Sequence, residues 1–345
     1  MVFILGAGFS KGYNSKNIPL ISEFFKIAEE NSILKRDGEH KELVEFINKY
    51  FGDYRTVSIE KLASFLTTDL VPDVSQKHEY RDRLYRQLID IIIAVLYNPF
   101  DNPETDEVKE VYQKFGTKLL DNNINIISFN YDLILDNILK STKMWSIAIG
   151  YGFNMKGLDL NKCCTYKAES QSETIYLKLH GSLNWGRSIV PDPYIGNEIV
   201  VNAFSIAPDI GGHILPIELS CVAFDPLCTN IYYETFIVPP ILSKDEFYKN
   251  NVLQHLWYKA KEELKRSEEI FVIGYSFPAT DYLAEFLFRQ SIAGQFSKKN
   301  KKVIIINNRI DDEYKRRVEN MFQNCEFEYH NCDVVDFLRT YVEQT

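Results

Sequence analysis

Val2-Phe3-Ile4-Leu5-Gly6-Ala7-Gly8-Phe9-Ser10 is an unbroken apolar run that stops at a glycine-rich turn. An apolar run without polar alternation predicts a strand covered on both faces, as a parallel sheet requires. Comparable runs recur at 124–128 (INIIS), 175–179 (IYLKL), 270–274 (IFVIG) and 302–307 (KVIIIN), bounded by Gly, Asn or Lys. Between the later runs lie helical patterns over 252–269, 281–296 and 312–322; the first carries Leu253, Leu256, Trp257, Ala260 and Leu264 at helical spacing. Strands alternating with helices in this way predict an α/β fold built on a doubly wound parallel sheet.

Two stretches interrupt the alternation. Residues 21–118 carry helical patterns (ISEFFKIAEEN, HKELVEFINKYF, IEKLASFL, HEYRDRLYRQLIDIIIAVLY) and almost no strand signal. They are expected to form a helical insertion after the first strand, leaving 1–20 plus 119–345 as a Rossmann-like domain. Residues 150–240 are richer in Gly, Pro and Asn and predict loops and strands on top of the sheet. The lysine cluster at 298–302 reads as a solvated turn.

Composition narrows the class without naming a function. The 345 residues are 45% hydrophobic and 25% charged, which excludes disordered, collagen-like and coiled-coil chains. A net charge of −9 argues against a dedicated nucleic-acid binder, so no direct nucleic-acid contact is expected. No basic region precedes the first apolar run, and Ile91 to Tyr97 falls far short of the ~20 residues that span a bilayer. A soluble, cytoplasmic protein without membrane contact is expected. The six cysteines (Cys163, Cys164, Cys221, Cys228, Cys325, Cys332) form no C-x-x-C pair, so no zinc site can be drawn and no metal is expected.

Polar residues gather where the predicted strands end, which is where open α/β sheets bind ligands. Gly6, Ala7, Gly8 and Ser10 would let backbone N–H groups approach a pyrophosphate. Lys11 stands where the dinucleotide fingerprint has its third glycine, so a purely structural glycine turn stays equally open. The second strand ends in Ser128-Phe129-Asn130-Tyr131-Asp132. Here Asn130 and Asp132 are candidates, and Asp132 alternatively caps the helix that follows. The third ends in Leu179-His180-Gly181-Ser182-Leu183-Asn184-Trp185. A neutral His180 there takes a proton from a ribose hydroxyl or water near pH 7, unless it is a satisfied structural histidine. Gly181 would leave room for a ligand. The fourth strand opens into Gly274-Tyr275-Ser276-Phe277-Pro278-Ala279-Thr280-Asp281, where Gly274 and Ser276 could cradle phosphate or ribose oxygens before a helix begins near Asp281. The fifth ends in Asn307-Asn308-Arg309, and Asn307 could bind a ribose hydroxyl. His40, His78, His213, His255 and His330 have no such placement.

Taken in order, GAGFS, Asn17-Ile18-Pro19, FNYD, KLHGSLNW, GYSF and INN resemble the sirtuin-like superfamily. The nearer resemblance is to its divergent bacterial branch of phage-defence NAD hydrolases, and LHGSLNW and IGYSFPATD are its specific pieces. The departures from deacylating sirtuins are equally informative. No C-x-x-C follows HGSLNW, Phe129 replaces the glutamine before the asparagine, Leu20-Ile21-Ser22 replaces the arginine-bearing loop, and Ile237-Val238-Pro239-Pro240 stands near the missing peptide-binding strand.

The resemblance implies NAD as substrate, with hydrolysis of its nicotinamide N-glycosidic bond to nicotinamide and ADP-ribose. It implies Asn130, His180 and Asp132 as catalytic residues; Gly6, Ala7, Gly8 and Ser10 at the pyrophosphate; and Gly274, Ser276 and Asn307 toward the adenosine. It implies an antiviral effector that depletes NAD in abortive infection, working as a homo-oligomer or with a second defence protein (a helicase-like ATPase or an argonaute-like sensor). VVDFLRTYVEQT (334–345) follows the last α/β unit directly, which favours a trigger outside the chain. NAD-dependent deacylation, ADP-ribosyl transfer, and a non-catalytic NAD or ADP-ribose sensor are the alternatives.

Overall fold

A computed structural model describes residues 1–20, 23–68, 78–97, 102–146, 150–152, 172–188, 199–201, 233–240, 250–278, 280–292 and 301–344. Cys163, Cys164, Cys221, Cys228, His213, Ala279, Ile21, Ser22 and most of the expected 150–240 region lie outside the described residues, as do 298–300 of the lysine cluster.

The predicted apolar runs form the centre of the molecule. β1 (Val2–Leu5), β2 (Asn125–Ser128), β3 (Tyr176–Lys178), β7 (Glu269–Ile273) and β8 (Lys302–Asn307) join β9 (Glu326–Asn331) in a parallel sheet of order β3-β2-β1-β7-β8-β9. The chain winds outward from β1 to β3, returns to the other side of β1 at β7, and winds outward again. That reversal defines a Rossmann-like doubly wound sheet and puts its switch point at the carboxyl ends of β1 and β7. Every residue of β1 is buried, which accounts for its continuous apolar run. β9 was not anticipated, because its EFEYHN sequence alternates polar and apolar residues on a half-exposed edge.

A second, antiparallel sheet of order β5-β4-β6 is formed by β4 (Gly181–Ser188), β5 (Ile199–Val201) and β6 (Tyr233–Ile237). β4 starts on the residue after His180, so the chain passes from one sheet to the other at that histidine.

The helices are α1 (Ala7–Tyr13), α2 (Phe24–Glu30), α3 (Lys41–Tyr50), α4 (Ile59–Thr67), α5 (His78–Tyr97), α6 (Asp106–Asp121), α7 (Ile134–Ser141), α8 (Asn251–Arg266), α9 (Tyr282–Ile292), α10 (Asp312–Met321) and α11 (Val334–Glu343). α8 starts where the Asn250 side chain accepts the N–H groups of Val252 and Leu253. The apolar faces of α2–α5 share a core of their own, which includes Phe25, Leu43, Ile47, Leu62 and Leu88 and takes in Leu133 before α7, Leu183 of β4 and Ile237 of β6. α6 belongs to the sheet core, where Phe115 meets Phe3 edge-on at 5.5 Å between ring centroids.

Candidate active site

The β1–α1 turn and the loop after β7 interlock at the switch point. Gly6 N–H donates to Ile273 O at 3.0 Å and Gly8 N–H to Gly274 O at 2.8 Å. A Cβ on Gly6 would lie 2.5 Å from Tyr275 Cα, and one on Gly8 2.7 Å from Gly274 Cα. Gly274 has φ +64°, where its own Cβ would meet Phe9 N at 2.4 Å. The glycines therefore have a packing role that stands without any ligand. Ala7 is exposed as the first residue of α1.

Asn130, Ser10 and Asp132 form one hydrogen-bonded chain beside that turn. Asn130 Nδ2 donates to Gly6 O and to Ser10 Oγ, both at 2.9 Å. Ser10 Oγ in turn donates to Asp132 Oδ2 at 2.6 Å. Asp132 Oδ1 accepts the Ile134 N–H at 3.1 Å, so it does help start α7 while its other oxygen serves Ser10. Burial pushes the Asp132 carboxyl above its ordinary value, against the opposing pull of Lys178, Ser10 and the Ile134 N–H. Beneath this chain, fully buried Lys178 donates from Nζ to Asp132 O at 2.6 Å and Asp136 Oδ2 at 2.9 Å. Asp136 Oδ1 accepts the Tyr151 hydroxyl, which itself accepts Asn184 Nδ2 at 2.9 Å.

His180 lies at the end of β3 and is buried. Phe129 meets its ring edge-on at 5.2 Å, Tyr131 is stacked at 6.2 Å, and Trp257 lies at 6.3 Å. Its Nε2 is 3.6 Å from Asp281 Oδ1. The space beside Gly181 is not open to a ligand, contrary to the sequence expectation. With φ +79°, a Cβ there would lie 2.3 Å from Phe236 O, so the glycine admits β6. Tyr131 donates its hydroxyl to Val238 O at 2.6 Å, and burial, with Asp281, Glu60 and Tyr85 nearby, holds that phenol neutral. Thr280 donates to Glu60 Oε1 of α4 at 3.1 Å, joining the helical region to the rim.

The remaining candidates lie along the β7 and β8 ends. Ser276 is exposed, and its carbonyl accepts Arg317. Asn307 Nδ2 donates to Tyr275 O at 3.4 Å and its Oδ1 accepts Arg309 N–H at 3.3 Å, tying β8 to the Tyr275 loop. The sequence carries no distinct signal for the placement of Asp281, Tyr275, Tyr131 and Lys178. Asp281 looks like an ordinary acidic helix start, and Lys178 sits inside an apolar run. Among the described residues, no group of three or more His, Cys, Asp or Glu side chains could hold a metal ion, and no helix is long and apolar enough to cross a membrane.

A doubly wound parallel sheet with amide, imidazole, hydroxyl and carboxylate groups at its switch point defines the class as a Rossmann-like α/β protein. No protein-family model matches the chain, and no curated protein matches its sequence. Among solved structures, a Sir2 complex with the inhibitor EX-527, 2'-O-acetyl-ADP-ribose and a deacetylated p53 peptide is 15% identical, with a TM-score of 0.43 over 99% of this chain and 92% of that one. A Sir2–p53 peptide–NAD+ structure is 14% identical with a TM-score of 0.40, and Sir2Tm bound to a propionylated peptide is 13% identical with a TM-score of 0.39; both have the same coverage.

Proposed function

We propose that the protein is an NAD glycohydrolase: NAD+ and water give nicotinamide, ADP-ribose and a proton. The observation that carries this reading is the placement of Asn130 and His180 at the ends of adjacent strands β2 and β3, beside the glycine turn of the switch point. Their order in the chain and the motifs around them resemble the NAD-hydrolysing sirtuin-like branch. The fit to NAD is chemical. Open α/β sheets bind dinucleotides at their switch point, and this site supplies amide, hydroxyl and imidazole groups suited to ribose hydroxyls.

The leaving nicotinamide is already cationic and needs no strong acid, so the protein's task is to hold the ribose and place water at an oxocarbenium-like centre. Because Asn130 Nδ2 is committed to Gly6 and Ser10, its Oδ1 is the atom suited to orient a ribose hydroxyl or the water. His180 is the base toward a ribose hydroxyl or water. Asp132 acts through Ser10 on Asn130; of the pyrophosphate candidates Ala7 is exposed, whereas Gly6 and Gly8 give their N–H groups to Ile273 O and Gly274 O and Ser10 gives its hydroxyl to Asp132, so these three shape the turn. Gly274, Ser276 and Asn307 lie toward the adenosine.

We extend the reading to an antiviral effector of the cytoplasm, held silent by self-assembly or by a second defence protein, because unregulated NAD loss would harm its own cell. Within the chain, the helical insertion and the Rossmann-like domain are the two units of this design.

Purified protein incubated with NAD, alone and with candidate activators, should yield ADP-ribose and free nicotinamide by chromatography. Asn130→Ala and His180→Ala should each lower that yield by about 10²–10⁴-fold. Nicotinamide release that occurs only with an acylated peptide would sink the proposal.

A further inference from the structure

We propose that Asp281 is the carboxylate partner of His180, a positioning residue that orients the imidazole and stabilises its protonated form. The inference rests on the reading of His180 as the base. Asp281 Oδ1 lies 3.6 Å from His180 Nε2, and each side chain is only 6% exposed. That separation is longer than a hydrogen bond. It is well inside the range at which a buried opposite charge favours the ionised form. Such contacts commonly shorten when a substrate closes the site.

Asp281 is itself held in place. The Tyr275 hydroxyl donates to its Oδ2 at 2.8 Å, and the Tyr275 ring stacks on Phe129 at 4.6 Å with an interplanar angle of 19°. Phe129 then meets the His180 ring edge-on, which closes a circuit through the ends of β2, β3 and β7. A carboxylate at a helix start ordinarily serves the first backbone N–H groups. From that position Oδ2 also accepts a tyrosine hydroxyl, and Oδ1 lies 3.6 Å from an imidazole on a distant strand.

Among the described residues, the titratable groups around the imidazole include Asp281 from the α9 entrance and Tyr131 from the β2 loop, with Tyr275 on Asp281. Glu60 of α4 and Tyr85 of α5 act electrostatically on the Tyr131 phenol from the helical side. Trp257 of α8 and Phe129 complete the wall with apolar rings. Burial alone disfavours an imidazolium here, and Asp281 opposes that effect.

The test is Asp281→Asn, which keeps shape and removes charge. Titration of the His180 imidazole by NMR, in the 345-residue chain labelled at histidine, should show its pKa lowered by about one unit or more relative to the unaltered chain. In the NAD hydrolysis assay the acid limb of the pH profile should move to lower pH by the same amount, because a less basic imidazole stays neutral further into acid. Plateau turnover should fall. An imidazole pKa unchanged within about 0.3 unit would overturn the pairing. If the variant does not fold, the unaltered chain decides. The Asp281 carboxyl carbon should respond at the His180 midpoint, and no response there would overturn the proposal. These readings need no substrate. A chain inert toward NAD would therefore refute the hydrolase and leave the pairing standing, whereas an unshifted imidazole in an active enzyme would refute only the pairing.

Discussion

Lys178 buries an ammonium between Asp136 and the carbonyl of Asp132, two residues before His180 in the chain. It joins the two strand ends that carry both candidate catalytic groups. Removing one member of a buried pair strands the other charge in a medium that solvates it poorly. Lys178→Met should therefore lower stability by about 3–5 kcal/mol in urea denaturation, and a loss under about 1 kcal/mol would contradict the role. Asn130 and His180 were legible in the sequence because each follows an apolar run and so falls at a strand's carboxyl end. Asp281 and Lys178 were not, because their roles depend on partners far away in the chain. Phe129 marks the same limit. Its position beside Asn130 is plain from sequence, but its stacking on Tyr275 is a property of the folded switch point.

At the scale of elements, α2 is fastened to the short 3₁₀ turn at Tyr54–Thr56 through Glu29. Its carboxylate accepts the Tyr54 hydroxyl at 2.7 Å and Arg55 Nε at 2.8 Å, with Arg36 at 3.3 Å. Arg55 first, then Tyr54, hold the Glu29 carboxyl below its ordinary 4.5. A depressed carboxylate stabilises the fold above its unfolded pKa, and that contribution disappears as pH falls through the lower folded value. Glu29→Gln should thus melt below the unaltered chain near pH 7, with the gap closing as pH falls below 4.5. Thermal melts at a series of pH values check this, and a gap that widens in acid would rule it out. The strands of the central sheet were legible element by element, because residues buried on both faces leave an unbroken apolar signature. β9 escaped because an edge strand needs only one apolar face.

Across the whole molecule, the helical region and the Rossmann-like part are joined by shared packing. Leu133, Leu183 and Ile237 lie in the helical core although they belong to segments that carry site residues. All three tryptophans, Trp145, Trp185 and Trp257, fall outside α2–α5, so their fluorescence reports on the sheet side alone. Far-ultraviolet circular dichroism reports on both. The two signals should follow one coincident unfolding transition, and Leu183→Ala should move both together by about 2–4 kcal/mol. Separate transitions would show that the helical region unfolds on its own. By itself, the sequence determined the α/β class, the helical stretch after the first strand, and the set of strand ends that bear polar residues. All three follow from local periodicity and from the burial each element needs. Only the tertiary structure decided that the switch point lies between β1 and β7, that the glycines weld two loops, and that Asp281 stands beside His180. Those facts depend on which strands become neighbours, and local sequence holds no record of that.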